Sequence, residues 1–347
     1  MSDKIIVRNT ISDMIAFTRL VPIRRKKIRD ASPAALPVDP VNRAVAALHP
    51  ELMYLRIDDV IQETETTKSF ILKPDSDKGT ATLSPFRAGQ YLNIRIEING
   101  SVVSRNYSLS STPADAADGF YRITVRKKEK GFATSFILDS WKKGTNVISS
   151  GPVGTFVYES LRDSRQIVAI AGGCGITPII SMARDSAQKK DNRAFTIIYG
   201  VRNTSDIIFR KQLAELAEKN PERIKIHYVA SEPEPGWKGP AGFITAELIA
   251  ELVGTTEGKS FFLCGPQAMY RFLDVELAKL SIPRRFLRRE LFGEIDDPTS
   301  IPGFPRENLG KRFGITVHIA DESVHIEGSG TETVLVALER AGLAPPS

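Results

Sequence analysis

The chain has 347 residues, 41% hydrophobic and 25% charged, with a formal net charge of +6, a composition that predicts soluble globular protein in two domains with an added arm or third piece. The mild basicity lacks any basic groove motif, which argues against nucleic acid and for acidic partners or phosphate-bearing cofactors. Cys174 and Cys264 show no paired spacing and His49, His227, His318 and His325 are scattered, which argues against a disulfide framework, a zinc site or a histidine metal cluster; no apolar run reaches the roughly 18 residues of a membrane span, so the expected location is the cytoplasm.

In chain order, residues 1–50 read as an extension of unassigned role: apolar 15–20, the basic run IRRKKIR (23–29), then the proline-rich ASPAALPVDP (31–40). The basic run is either a solvated face or an electrostatic dock for an acidic partner or membrane surface. From Glu51 the texture turns β-rich: YLRIDDVIQET, KSFILKP, QYLNIRIEI, SVVSRNYSLSS and FYRITVRKK alternate in part and are separated by turn residues, which predicts an antiparallel barrel or sandwich over 51–160, with strands at barrel spacing. GFATSFILDSWKKG (131–144) predicts a short helix, and NVISSGPVGTF closes the unit.

The pattern then changes. RQIVAIAGGCGITP (165–178) is an apolar, β-branched run ending in Gly172, Gly173 and Gly175, then Thr177 and Pro178. An apolar strand running through glycines into a helix start is the layout of a phosphate cradle, with Thr177 expected as N-cap and Pro178 as first helical residue. Gly173 and Gly175 would let backbone approach a pyrophosphate; the alternative is a tight strand-to-helix turn without a ligand. IVAIAG, AFTIIYG (194–200), RIKIHYVA (223–230) and KSFFLCG (259–265) alternate with amphipathic segments, predicting a doubly wound parallel sheet over 161–295 with ligand at the strand C-termini. Residues 296–311 read as a linker, and 312–347 as a hairpin followed by a helix from about 333 to 341.

Within the first half, Arg105-Asn106-Tyr107-Ser108 lies on a strand. Period-2 geometry puts Arg105 and Tyr107 on one face and Ser108 on the other, unless a kink intervenes. An arginine fork suits a phosphate, a tyrosine a flat ring, and a serine hydroxyl a ring nitrogen. Gly131 to Thr134 repeats the helix-start phosphate logic.

RNYSLSS, preceded by FRAGQY (86–91) and followed by GFATS, GPVGTF, AGGCGITP and FFLCGP, resembles the ferredoxin–NADP reductase superfamily across roughly 51–294. The resemblance implies a flavin-binding barrel followed by a nicotinamide-binding α/β domain, and FAD rather than FMN. It puts Arg105 on the flavin phosphate, Tyr107 against the isoalloxazine, Ser108 near its N5, and Gly131 and Thr134 on the FAD pyrophosphate, with Val125 among the flavin-site residues. Gly173, Gly175 and Thr177 would meet the nicotinamide cofactor's pyrophosphate. Cys264-Gly265-Pro266 would lie near the nicotinamide C4, with Cys264 shaping the approach rather than acting as nucleophile; its alternative is a small buried hydrophobe. ELFGE (290–294) resembles the family's acidic–aromatic segment, which would bring Glu290 and Phe292 to the flavin; a plain edge strand is the alternative. Arg202, past the second strand, tilts towards NADPH, though NADH and NADPH both stay open.

ETVLVALERAGLAPPS resembles the helix before the cluster loop of a plant-type [2Fe–2S] ferredoxin, so a cluster is expected only if the intact protein continues beyond Ser347; no metal ligand is expected within 312–347 as written. The implied activity is an NAD(P)H-dependent flavin reductase handing electrons to an iron–sulfur centre or a redox partner such as an oxygenase. Its alternatives are a free-standing diaphorase or flavin reductase, and an electron-transfer or regulatory subunit of a larger complex.

Overall fold

The computed structural model describes residues 11–31, 39–98, 100–129, 131–292, 298–301, 303–319 and 322–343. The chain divides into two units, Met1–Val45 and Ala46–Ser347. In the first, α1 (Ile11–Arg29) carries Pro22 inside it and Lys26, Lys27 and Arg29 in its last turn. The basic run is therefore helical and exposed. Helix α2 (Pro40–Leu48) spans the junction between the units. Residues 32–38, most of the proline-rich stretch, lie outside the described residues.

The second unit opens with the β-rich half: β1 (Met53–Thr64), β2 (Thr67–Pro74), β3 (Tyr91–Ile98), β4 (Ser101–Ser108), short helix α3 (Pro113–Ala117), β5 (Tyr121–Arg126), α4 (Phe132–Ser140) and β6 (Asn146–Ser149). The strands pair antiparallel in the order β4-β3-β6-β1-β2-β5. The two outer strands meet just past β4, where Leu109 bridges Ile123 and the Ser110 N–H donates to the Arg122 carbonyl at 2.8 Å. That contact removes the free edges, so the sheet is the expected barrel. Leu55, Phe70, Leu92, Ile94, Ile123 and Val147 fill it, and Ile137 of α4 plugs one end.

The α/β half follows: β7 (Gln166–Gly172), α5 (Ile176–Lys189), β8 (Ala194–Val201), α6 (Arg210–Lys219), β9 (Ile224–Ala230), α7 (Ala246–Val253), β10 (Lys259–Pro266), α8 (Gln267–Lys279) and β11 (Leu287–Phe292). All neighbours are parallel, in the order β11-β10-β7-β8-β9. The winding reverses between β7 and β10, and the crevice outside such a reversal is where doubly wound sheets take ligands. Alternate residues of β7 face opposite layers: Ile167, Ala169 and Ala171 pack under α5 and α6, Val168 and Ile170 under the other helices. Strands buried on both faces read as unbroken apolar runs, which is why IVAIAG and FFLC stood out.

Barrel and sheet are fastened by Phe156 edge-on to Phe262 (5.4 Å), by the Ser181 hydroxyl donating to the Ser111 carbonyl (2.6 Å), and by Arg184 paired with Asp115 (3.1 Å). The C-terminal piece is a hairpin, β12 (Arg312–Ile319) with β13 (Glu322–Ser329), followed by α9 (Val334–Arg340), whose N-cap Thr333 accepts from the Val336 N–H. Helix α9 lies on β4.

Candidate active site

Ser108 ends β4 directly opposite Tyr91, the first residue of β3. Its hydroxyl is buried and has no hydrogen-bond partner among the described residues. The Tyr91 ring lies over Gly154, where a Cβ would stand 2.9 Å from it. Burial, and then the Glu290 charge, raises the Tyr91 phenol above its ordinary pKa, so Glu290 lies within electrostatic reach of Tyr91.

Glu290 arrives from the far end of the chain. β11 runs parallel to β10 with Glu290 in register with Cys264, and the Tyr270 hydroxyl sits 2.7 Å from the Leu263 carbonyl and 2.6 Å from that of Glu290, pinning the two strands. One Glu290 carboxyl oxygen is buried without a partner. Burial pushes this acid up to about 8, so it holds its proton at neutral pH. Cys264 is fully buried, and burial, with Glu290 next, drives its thiol well above the ordinary value. A neutral thiol is a poor nucleophile, in keeping with a shaping role. Gly265 and Pro266 follow at the strand end, with Pro266 exposed. Phe292 is the last residue of β11, in register with Pro266; its side chain and residues 293–294 lie outside the described residues.

At the β7–α5 turn the cap expectation is corrected. The helix starts two residues earlier than the cap reading: a 3-10 turn over Gly173–Gly175 runs into α5 at Ile176, with Gly175 as N-cap. Thr177 is therefore inside the helix, and its hydroxyl donates to the Cys174 carbonyl at 2.9 Å. Gly175 has an αR backbone any residue could adopt, and the space a Cβ would need is filled by the Cys264 carbonyl and the Gly265 nitrogen. Its glycine is thus demanded by helix-on-strand packing. Gly173 has φ +53°, and a Cβ there would stand 2.8 Å from the Arg126 guanidinium. Arg126, the last residue of β5, also pairs with Asp206 at 3.1 Å. The Tyr199 hydroxyl donates to the Gly173 carbonyl at 2.9 Å.

At the second helix start, Gly131 caps α4 with extended backbone and no side-chain bond. Thr134 accepts from the Lys128 N–H at 3.2 Å, and its Oγ1 occupies the place of a Gly131 Cβ. The Val125 side chain is buried in the barrel core, so only its backbone faces outward. Tyr107 is half-buried against the same core. Arg105 is half-buried and its guanidinium holds the carboxylate of Glu339 in α9. Arg202 is exposed and pairs with Glu232 at 2.8 Å.

The structure thus sets Cys264 in register with Glu290 and Ser108 opposite Tyr91, with Glu290 within electrostatic reach of Tyr91. Sequence reasoning missed Tyr91, Arg126 and Glu339; Tyr91 ends the FRAGQY motif and Arg126 ends a recognised strand, but neither position announces its partner. A flavin fits this setting: two buried polar atoms, Ser108 Oγ and Glu290 Oε2, lack protein partners, as expected where a heteroaromatic ring supplies them. Among the described residues no group of His, Cys, Asp and Glu could hold a metal ion, and no helix is long and apolar enough to cross a membrane.

Residues 55–158 match the family model described as an oxidoreductase FAD-binding domain, and 169–274 the oxidoreductase NAD-binding domain. The chain is 32% identical over 204 residues to NADH-cytochrome b5 reductase 1 of Cryptococcus neoformans, covering 56% of this chain and 68% of that one. It belongs to the ferredoxin–NADP reductase superfamily. The chain is also 31% identical over 243 residues to a flavohemoprotein of Oceanobacillus iheyensis, covering 68% of this chain and 58% of the relative; it spans about three-fifths of the length of the flavohemoproteins it matches. A solved phthalate dioxygenase reductase, described as carrying electrons from pyridine nucleotides to [2Fe–2S], shares its fold at a TM-score of 0.61 and 24% identity, covering 85% of this chain and 82% of that one. FAD and a nicotinamide dinucleotide are the cofactors of the two matched domains.

Replacing Cys264 by Ala is expected to slow flavin reduction while leaving flavin content unchanged. The buried thiol fills space beside Glu290, and its loss opens a small void costing about 1 kcal/mol. Flavin loss on purification of the variant would make Cys264 a scaffold residue instead.

Proposed function

We propose that this chain is an NAD(P)H-dependent flavin reductase that passes electrons singly to a separate redox centre, an iron–sulfur cluster or an oxygenase-type partner. The observation that carries the reading is the pairing of Ser108 with Tyr91 in the barrel and of Cys264 with Glu290 at the C-terminal ends of β10 and β11, each pair holding a buried polar atom without a protein partner, Ser108 Oγ and Glu290 Oε2. Flavin, when bound, supplies the conversion between two-electron and one-electron transfer.

The residues have separable tasks. Arg105 binds the flavin phosphate, with Gly131 and Thr134 at its pyrophosphate; Tyr107 lies against the ring system and Ser108 Oγ bonds a ring nitrogen. The amides at the start of α5, from Gly173 through Thr177, face the nicotinamide cofactor's pyrophosphate, favoured there by the positive helix end. Gly265 and Pro266 leave a side-chain-poor floor at the strand end, Cys264 limits how far a ring can sink, and the family likeness assigns Phe292 to the ring face of the flavin that the nicotinamide must reach. Glu290 keeps a proton on its carboxyl in the dry interior, close to where protons must enter and leave. Arg202 is shared with Glu232, so a 2′-phosphate would have to displace that carboxylate.

The iron–sulfur acceptor is supported by the family likeness of 312–347 and by the electron route of the phthalate dioxygenase reductase, from pyridine nucleotides to [2Fe–2S]. The decisive experiment is a visible spectrum of the purified protein followed by anaerobic NADH and, separately, NADPH. Flavin absorbance that bleaches is the expected result, and the faster donor is the physiological one. A protein without flavin, or with flavin that neither nucleotide bleaches, would overturn the reading.

A further inference from the structure

Arg105 already holds an anion. Glu339 Oε1 accepts from Arg105 Nη1 and from the Ser104 N–H at 3.3 Å, and Oε2 accepts from Arg105 Nη2 at 3.3 Å. A two-oxygen clasp by a guanidinium with a main-chain amide added is the recognition pattern for a phosphate, here filled by a side chain. The pair is well covered: 20% of the Arg105 side chain and 9% of the Glu339 side chain are exposed. Solvent therefore screens it poorly, and a second anion on the same guanidinium would face a buried carboxylate across it.

We propose that Glu339 and the flavin phosphate are alternative ligands of Arg105, so that flavin binding and the docking of α9 on β4 oppose each other. The inference rests on the assignment of Arg105 to the flavin phosphate. Its consequence reaches beyond one side chain, because α9 is tied to its hairpin. Arg340 donates to the Glu327 carbonyl at 2.7 Å and pairs with Glu332 at 2.7 Å, and Ala337 lies beneath Gly328. Releasing Glu339 loosens the whole C-terminal piece from the barrel, and a docked piece weakens flavin binding by the same factor, as linkage requires.

The test titrates flavin-free protein with FAD, following flavin fluorescence. Glu339→Gln keeps the shape and removes the charge; it should tighten FAD and FMN by roughly fivefold or more, the lower end of ordinary coupling. Riboflavin, which has no phosphate, should bind both proteins alike. Unchanged or weaker FAD binding in the variant overturns the proposal, as does equal tightening of riboflavin. Arg105→Ala separates the two readings: if it binds FAD as tightly as wild type, the phosphate assignment itself is wrong. If it loses FAD while Glu339→Gln has no effect, only the competition fails. Amide hydrogen exchange over 334–340 in the unaltered protein needs no variant: FAD should speed it, and unchanged or slower exchange overturns the proposal.

Discussion

Gly175→Ala is expected to destabilise the protein by about 3 kcal/mol, the upper range for overpacking a well-filled interior. The added methyl would fall on the Cys264 carbonyl and the Gly265 nitrogen. These are main-chain atoms, held by the pairing of β10 with both β7 and β11, and cannot swing aside as a side chain would. Relief requires α5 to lift from the sheet, which uncovers Ile176, Ile179 and Ile180, all completely buried. Gly314→Ala is the control: it lies in exposed β12 with nothing near the would-be Cβ, and should change stability by less than about 0.5 kcal/mol. Urea unfolding of the two variants reads the difference directly. Equal midpoints would mean that α5 is not pressed on β10 at this point.

Glu290→Gln should make the flavin-free protein less sensitive to alkali. The folded-state carboxyl titrates near 8, raised by burial from an ordinary 4.5. Below the lower value both folded and unfolded chains hold the proton. As pH rises the unfolded chain releases it first, so wild-type stability falls across this window and levels off above the folded value. Between pH 6 and pH 9 wild type should lose roughly 2–3 kcal/mol relative to the glutamine variant, which has nothing to ionise there. Thermal midpoints at the two pH values measure it. A constant gap would show that Glu290 reaches water and is charged at neutral pH. The same proton is the one the proposed mechanism keeps beside the flavin.

Much of the architecture was legible because it rests on local signals. Barrel strands alternate, sheet strands are unbroken apolar runs, and glycines mark where strand gives way to helix, so β1 to β5, β7 to β10 and the β12–β13 hairpin fall where the pattern put them, while β6 was read only as the close of the barrel and β11 only as an alternative for ELFGE. The short helix α3 went unread, since its Pro113–Ala117 span is too brief to show a period. The turn at 172–178 was located, but its reasons were not. Thr177 looked like a cap because nothing local reveals that Gly173–Gly175 already coil into the helix, and the packing demand on Gly175 was hidden because its neighbour, β10, lies almost ninety residues downstream.

By itself, then, the sequence determined the two-part fold, the cofactor classes and the strand ends that carry the site, since periodicity, glycine placement and motif order are written in adjacent residues. Only the tertiary structure decided which side chains meet. Glu290 becomes a neutral acid because parallel register sets it against Cys264 inside a dry interior. Arg126 reaches Gly173 because the barrel is seated on the sheet. Arg105 finds Glu339 across 234 residues because α9 folds back on β4. Burial and charge pairing depend on what the rest of the chain brings to a residue, and no window of neighbours contains that information.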